Sequence, residues 1–284
     1  MNNNELEKVE QKNEVIEESN LNEKSRKGKT KKKKSTLDNI ISAIILIVCI
    51  CGLIYSGKML YTWIMNNIES NNIMNDVNDI AGVSDIKEDE DPGAEFGLDF
   101  EALLAYNSDI VGWIRIPNTS ISYALVQAED NSKYLRHSLD LTWNEFGWPF
   151  LDYKNSPDFT DKNTVIYGHN IVSGLMFADL ANIYNGSLGN DVTINIYRSD
   201  YRLLTYKVFS AYVYDPEMYY LTTNFANDEQ YSTYLNTMSS RSAINFNQTV
   251  GVDDTIITLQ TCTSDTKRRI IVHAKLISNV EMPR

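Results

Sequence analysis

The chain has 284 residues, 43% of them hydrophobic, and a formal net charge of −12. That length accommodates one or two ordinary domains, and the acidic balance argues against nucleic acid as a partner. Of the three cysteines, two fall in a single apolar run. The remaining thiol, Cys262, therefore has no intrachain disulfide partner outside that run, which makes it a candidate reactive group.

Residues 1–38 carry ten basic and eight acidic side chains and no aromatic residue. They read as a cytoplasmic tail, closed by a basic block of Lys24, Arg26, Lys27, Lys29 and the lysines at 31–34. Residues 39–57 then form an uncharged run of 19, rich in Ile, Leu and Val, between Asp38 and Lys58. As a helix it spans roughly 28 Å, close to the hydrocarbon thickness of a bilayer. Tyr55, Tyr61 and Trp63 stand at its far end, where amphipathic rings favour the headgroup region. A buried core helix and a cleaved signal peptide are the alternatives. The lysine block on one side and the acidic stretch on the other argue against the first. The long preceding segment and the lack of a clean small-x-small site argue against the second. The expectation is a retained single-pass anchor in the cell membrane, with the N-terminus cytoplasmic and the rest of the chain extracellular. Cys49 and Cys51 are then small membrane-facing residues.

Residues 58–101 are the next segment. Within 65–101 there are eleven acidic side chains and one basic one, including Lys-Glu-Asp-Glu-Asp-Pro-Gly at 87–93. This reads as an acidic extracellular spacer, part of which can form a helix that packs on the following domain.

From residue 102 to 284 the composition is globular. Strands are expected at 111–117, 121–126, 150–153, 164–167, 192–197, 202–214, 255–259 and 269–277, each marked by apolar runs or partial alternation between Gly, Pro and Asn punctuation. Eight strands in so short a span favour closure, because a barrel leaves no exposed edge. Helices are expected at 174–184 and 227–238. In the second, Tyr231, Tyr234, Leu235 and Met238 share one stripe. No glycine-rich phosphate loop or metal-ligand cluster is apparent, and neither a cofactor nor a metal is expected. The fold class is mainly β: an eight-stranded barrel with added helices, preceded by one transmembrane helix.

The chemistry-bearing residues fall at strand ends. Cys262 closes Thr258-Leu259-Gln260-Thr261-Cys262, and a thiolate is well suited to attack an amide carbonyl and hold the acyl group. A buried structural cysteine is the alternative. A second group must return a proton to the departing amine, and imidazole titrates in the right range. His169 closes the strand at 164–167. His137, in a polar segment, and His273, mid-strand and roughly 13 Å along the chain from Arg269, compete with it. Arg268 and Arg269 both offer guanidinium donors for an oxyanion. Adjacent strand residues point to opposite faces, so only one of the two can easily aim at Cys262. The N–H of Thr263 is a further candidate donor.

These motifs resemble those of class B sortases, cysteine transpeptidases of Gram-positive bacteria. The segment 258–262 is similar to the sortase Thr-Leu-x-Thr-Cys signature. Arg269, opening the next apolar strand, takes the place of the family's essential arginine. Tyr167-Gly168-His169-Asn170, with the residues at 174–180, is similar to the histidine region, and 111–117 with 123–127 to the first barrel strands. The helix at 227–238 resembles the extra class B helix between strands six and seven. The resemblance covers about residues 100 to 279. It implies a sortase barrel with Cys262, His169 and Arg269 as catalytic residues, Arg268 and Asp265 being possible assistants. Cys262 would attack the threonine carbonyl of a C-terminal sorting signal on a secreted protein. His169 would protonate the leaving amine, and Arg269 would hold the substrate backbone and the oxyanion. An amine of a peptidoglycan precursor or cross-bridge would then resolve the thioester. A wall-directed cysteine peptidase and a non-catalytic wall-binding module are the rival readings.

Overall fold

The computed structural model describes residues 36–83, 97–214, 218–262 and 268–282. The tail and its lysine block, the acidic stretch at 87–93, Thr263 and Asp265 lie outside them. The chain divides into two compact units, residues 1–60 and 61–284.

The first long element is helix α1, Thr36–Ala81, of 46 residues. It is long and apolar enough to cross a membrane. Its exposed residues include Ile44, Leu46, Leu53 and Ile54, as well as Cys49 and Cys51. Helix α1 runs well past the apolar segment, into the stretch expected to be an acidic spacer. In its second half Asn66, Ser70, Ile73, Val77 and Ala81 are buried. Their spacing of three and four is one stripe of a helix, and Ile73, Val77 and Ala81 join the main apolar core.

A short helix α2, Phe100–Tyr106, follows, capped by Asp99, whose carboxylate accepts from the N–H of Ala102 at 2.9 Å. The strands are β1 (Ile110–Arg115), β2 (Ser122–Val126), β3 (Phe150–Leu151), β4 (Asn163–Tyr167), β5 (Thr193–Arg198), β6 (Arg202–Tyr214), β7 (Ile256–Cys262) and β8 (Arg269–Glu281). They close into a barrel in the order β1-β2-β3-β4-β7-β8-β6-β5. Most pairs are antiparallel. The β4–β7 pair is parallel, joining strands far apart in sequence, with Asn163 opposite Ile256 and Tyr167 opposite Gln260.

Alternation along β8 sorts its side chains as the sequence predicts. Ile270, Val272 and Ala274 enter the barrel core, while Ile271 enters a second cluster on the other face. That cluster lies under helix α4 (Asp228–Ser240), which buries Tyr231, Tyr234, Leu235 and Met238. Asn227 caps α4 by accepting from the Gln230 N–H, and the Gln230 side chain accepts from the Ala226 N–H, a reciprocal arrangement that fixes where the helix begins.

The helix expected at 174–184 is shorter, and only Leu180–Tyr184 (α3) is α-helical. Gly174 and Met176 have φ of +90° and +60°, outside the right-handed helical region. Met176 donates its N–H to the Tyr123 hydroxyl at 2.8 Å, and Phe177 donates to the carbonyl of His169 at 2.8 Å. Local helix propensity yields here to a turn that folds back onto the end of β4.

Candidate active site

Two strand registers converge at one rim of the barrel. In the parallel pair Tyr167 faces Gln260, and His169 and Cys262 each lie two residues further on. In the antiparallel pair Cys262 faces Arg269. The ends of three adjacent strands, β4, β7 and β8, therefore bring His169, Cys262 and Arg269 to the same edge.

The chain around His169 is held from two sides. Gly168 donates its N–H to the Gln260 carbonyl at 3.1 Å, which continues the β4–β7 ladder by one bond. A Cβ at position 168 would sit 2.5 Å from the Phe177 ring, so only glycine allows the folded-back turn to press this closely. Nε2 of His169 lies 3.0 Å from the carbonyl oxygen of Leu135, in a short 3-10 turn at Lys133–Leu135. A carbonyl can only accept, so Nε2 carries a hydrogen and, in the neutral ring, Nδ1 keeps its lone pair. Burial holds the imidazole below its ordinary pKa, and the positive charges of Arg136 and Arg269 push the same way against the Leu135 carbonyl. The influence of Arg269 on the ring is a second indication that the two lie at one rim.

Arg269 is half-buried and Arg268 exposed. One Nη of Arg269 donates to the Arg268 carbonyl at 3.2 Å, a contact that folds the guanidinium back over the strand start.

The other two histidines are placed differently. His273 is fully buried, and its two nitrogens lie 2.8 Å from Thr258 Oγ1 and 3.0 Å from the Tyr212 hydroxyl. Thr258 gives its hydroxyl hydrogen to Asn163 Oδ1 at 2.7 Å. Thr258 therefore accepts from His273 Nδ1–H, and Nε2 accepts from Tyr212. Asn163 in turn donates to the Thr222 carbonyl at 2.9 Å and to the Tyr234 hydroxyl at 3.1 Å. Burial drives the His273 pKa down to about 3. His137 donates its Nδ1–H to the Lys133 carbonyl at 2.7 Å and packs edge-on against Trp143. Among the described residues, no group of three or more His, Cys, Asp or Glu could hold a metal ion.

A closed, mainly β barrel with added helices, carrying a histidine, a cysteine and an arginine at adjacent strand ends, defines the class of protein. Comparison with known proteins gives the class its name. A sortase-domain family model matches residues 114–277. Sortase B of Listeria monocytogenes is 34% identical over 175 residues, covering 61% of this chain and 71% of that protein. Sortase B of Staphylococcus aureus is 35% identical over 181 residues, covering 63% and 74%. The structure of Clostridium perfringens sortase B aligns with a TM-score of 0.59 at 32% identity, covering 63% of this chain and 99% of that one. The chain belongs to the sortase family, and within it to class B. Its general activity is that of the family, cysteine transpeptidation on proteins bearing a sorting signal, in the setting of a Gram-positive cell wall and membrane.

Leu135 and Arg136 were not legible as site residues in the sequence. Leu135 acts through a main-chain carbonyl, which any residue carries, and Arg136 acts at a distance through charge.

Proposed function

We propose that Cys262 is the nucleophile, His169 the general acid and Arg269 the oxyanion and backbone clamp of a transpeptidase that cleaves a sorting signal after threonine. Cys262 attacks the threonine carbonyl. Arg269 donates to the oxygen as it gains charge. The tetrahedral adduct collapses, the C–N bond breaks, and His169 delivers a proton to the departing amine. The acyl group now rests on sulfur as a thioester. A peptidoglycan amine attacks it, transfers a proton to His169, and expels the thiolate. The observation that carries this reading is the convergence of the β4–β7 and β7–β8 registers on one rim, together with the charge of Arg269 acting on His169. With Nε2–H turned to Leu135, Nδ1 is the nitrogen available for proton exchange.

The remaining assignments belong to the same reading. Residues 1–38 form a cytoplasmic tail, 39–57 the membrane span, 58–101 an extracellular connecting segment, and 102–284 the catalytic domain. Secreted proteins with a C-terminal sorting signal and a wall amine are the two substrates, and both meet the enzyme at the outer membrane face.

The test uses the full chain in lipid nanodiscs, a labelled sorting peptide, and an amine acceptor that is either present or withheld. Ligated product that requires the acceptor and disappears in Cys262→Ala supports transfer. Equal release of hydrolysed peptide with and without amine favours a peptidase, and retained ligation by the alanine variant removes Cys262 from the role.

A further inference from the structure

We propose that the hairpin tip at residues 141–143, with the adjoining turn of α1, is a docking surface for the lipid headgroup layer. The proposal rests on reading α1 as a retained membrane anchor. His137 and Trp143 pair across a two-residue antiparallel bridge, so the intervening chain makes a tight loop. Ser138 and Leu139 are buried, yet Leu141 and Trp143 stand 50% and 61% exposed at the tip. Exposed large apolar groups gathered on one loop call for a partner.

The loop's backbone conformation points the same way. Leu141 has φ +67°, a region that costs a non-glycine residue about 1 kcal/mol. Asn or Gly would relieve that strain. Leucine occupies the position although its side chain, half-exposed, contributes little to the core.

Several features identify lipid as the occupant. The loop is fixed to α1 through Asn144, which donates to the Asn66 carbonyl at 3.3 Å and to Ser70 at 3.1 Å. Trp143 immediately precedes this anchor. Asn66 follows Gly57, the last residue of the apolar run, by nine positions. The tip is thus anchored to a residue only a short stretch of sequence beyond the apolar run. Between Asp38 and Glu69 the only charged residue is Lys58, and Tyr61, Trp63, Ile64, Met65 and Ile68 are exposed. Tryptophan and tyrosine favour the headgroup region. The Arg136 guanidinium lies 5.9 Å from the centre of the Trp143 ring, which adds a positive charge suited to anionic headgroups. Asp140 is turned into the loop, where it accepts from the Thr142 N–H and hydroxyl.

The experiment uses the full chain in vesicles of equimolar phosphatidylglycerol and phosphatidylcholine whose upper acyl chains are brominated. Trp113 and Trp148 are buried in the barrel. In a Trp63→Phe background, Trp143 is therefore the indole that bromine can reach. The expected result is quenching that is lost when Trp143→Phe is added. Leu141→Asn should weaken the quenching while raising the melting temperature, opposite signs that a purely structural loop would not give. Co-flotation with the vesicles separates the two readings. A chain that fails to float overturns the anchor and the docking together. A chain that floats with Trp143 unquenched overturns the docking alone. A Trp143 response that appears only at high protein-to-lipid ratio marks a second copy as the occupant and also overturns it.

Discussion

Strand β7 passes through two environments that contain the same kinds of side chain and hold them in opposite ways. At its middle, Thr258 belongs to a closed polar network with His273, Tyr212, Asn163 and Tyr234. There the histidine is sealed from solvent and both ring nitrogens are engaged. At its end the strand reaches position 262, at the same barrel rim as His169, which is half-buried, bonded through one nitrogen to a main-chain carbonyl, and influenced by two arginines. Satisfaction of polar groups makes a rigid post of the first histidine. Partial satisfaction leaves the second able to exchange a proton. The network ties β4 to β7 through Asn163 and Thr258, and these are the two strands whose parallel register brings His169 level with Cys262.

The sharpest way to break this comparison is to truncate each histidine. His169→Ala should lower kcat by about 10²- to 10⁴-fold, the usual weight of a positioned acid–base group, with little change in melting temperature. His273→Ala should do the reverse. It removes one hydrogen-bond partner from each of Thr258 and Tyr212 and opens a cavity, costing about 3 kcal/mol of stability, while turnover per folded molecule changes little. His273→Asn, which can still donate to Thr258, should recover part of the loss. A collapse of kcat in the His273 variant with His169→Ala nearly silent would exchange the two roles.

The buried histidine also predicts an acid limb of stability. Unfolded, it titrates near 6.5; folded, it stays neutral to about pH 3. Between those values the unfolded chain binds the additional proton, so stability is full above about pH 6.5 and falls as the pH drops. The loss attributable to this one group is roughly 3 kcal/mol by pH 4. Urea titrations at pH 7 and pH 4, compared between the wild type and His273→Asn, measure it. An equal slope in both would assign the acid sensitivity elsewhere.

Much of this comparison could be read before any coordinates. The alternation in Arg269-Ile270-Ile271-Val272-His273 already separates the two faces of β8, because a strand has a period of two and each face meets a different core. The Tyr231–Met238 stripe likewise predicts which side of α4 is buried. The assignment of Cys262, His169 and Arg269 came from motif resemblance. What places them together, the parallel pairing of strands nearly ninety residues apart, leaves no local trace in the sequence. The turn at 174–179 was misread as helix for a related reason. Its conformation is fixed by contacts with Tyr123 and His169, and apolar spacing does not encode them. The polar residues Asn66 and Ser70 concealed the buried stripe of α1 because their partners, such as Asn144, lie on a distant loop.

The two arginines sharpen the comparison at the open end. Arg269 pairs with Cys262 across the β7–β8 ladder and is half-buried, whereas Arg268 is exposed. Arg269→Lys retains the charge but loses the planar fork, and should reduce kcat/KM by about 10²-fold. Arg268→Lys should cost less than about threefold. A titration of active thiols in each variant separates lost chemistry from lost protein, and the opposite ranking would assign the clamp to Arg268.

The smallest effect is expected at Arg136, which acts on His169 through charge. Removing that charge in Arg136→Gln should raise the His169 pKa, since its influence is to lower it. The sign follows directly: a higher pKa keeps the imidazolium populated to higher pH, so the limb of the ligation profile governed by His169 should move up. The change in rate at neutral pH should stay within about threefold, because the arginine is exposed and a solvent-screened charge contributes little. Following the His169 ring resonances by NMR from pH 5 to pH 9 would read the shift without relying on turnover. An unchanged titration would mean that burial and the Arg269 charge alone hold the ring below its ordinary range, and that Arg136 serves only the loop that carries Trp143.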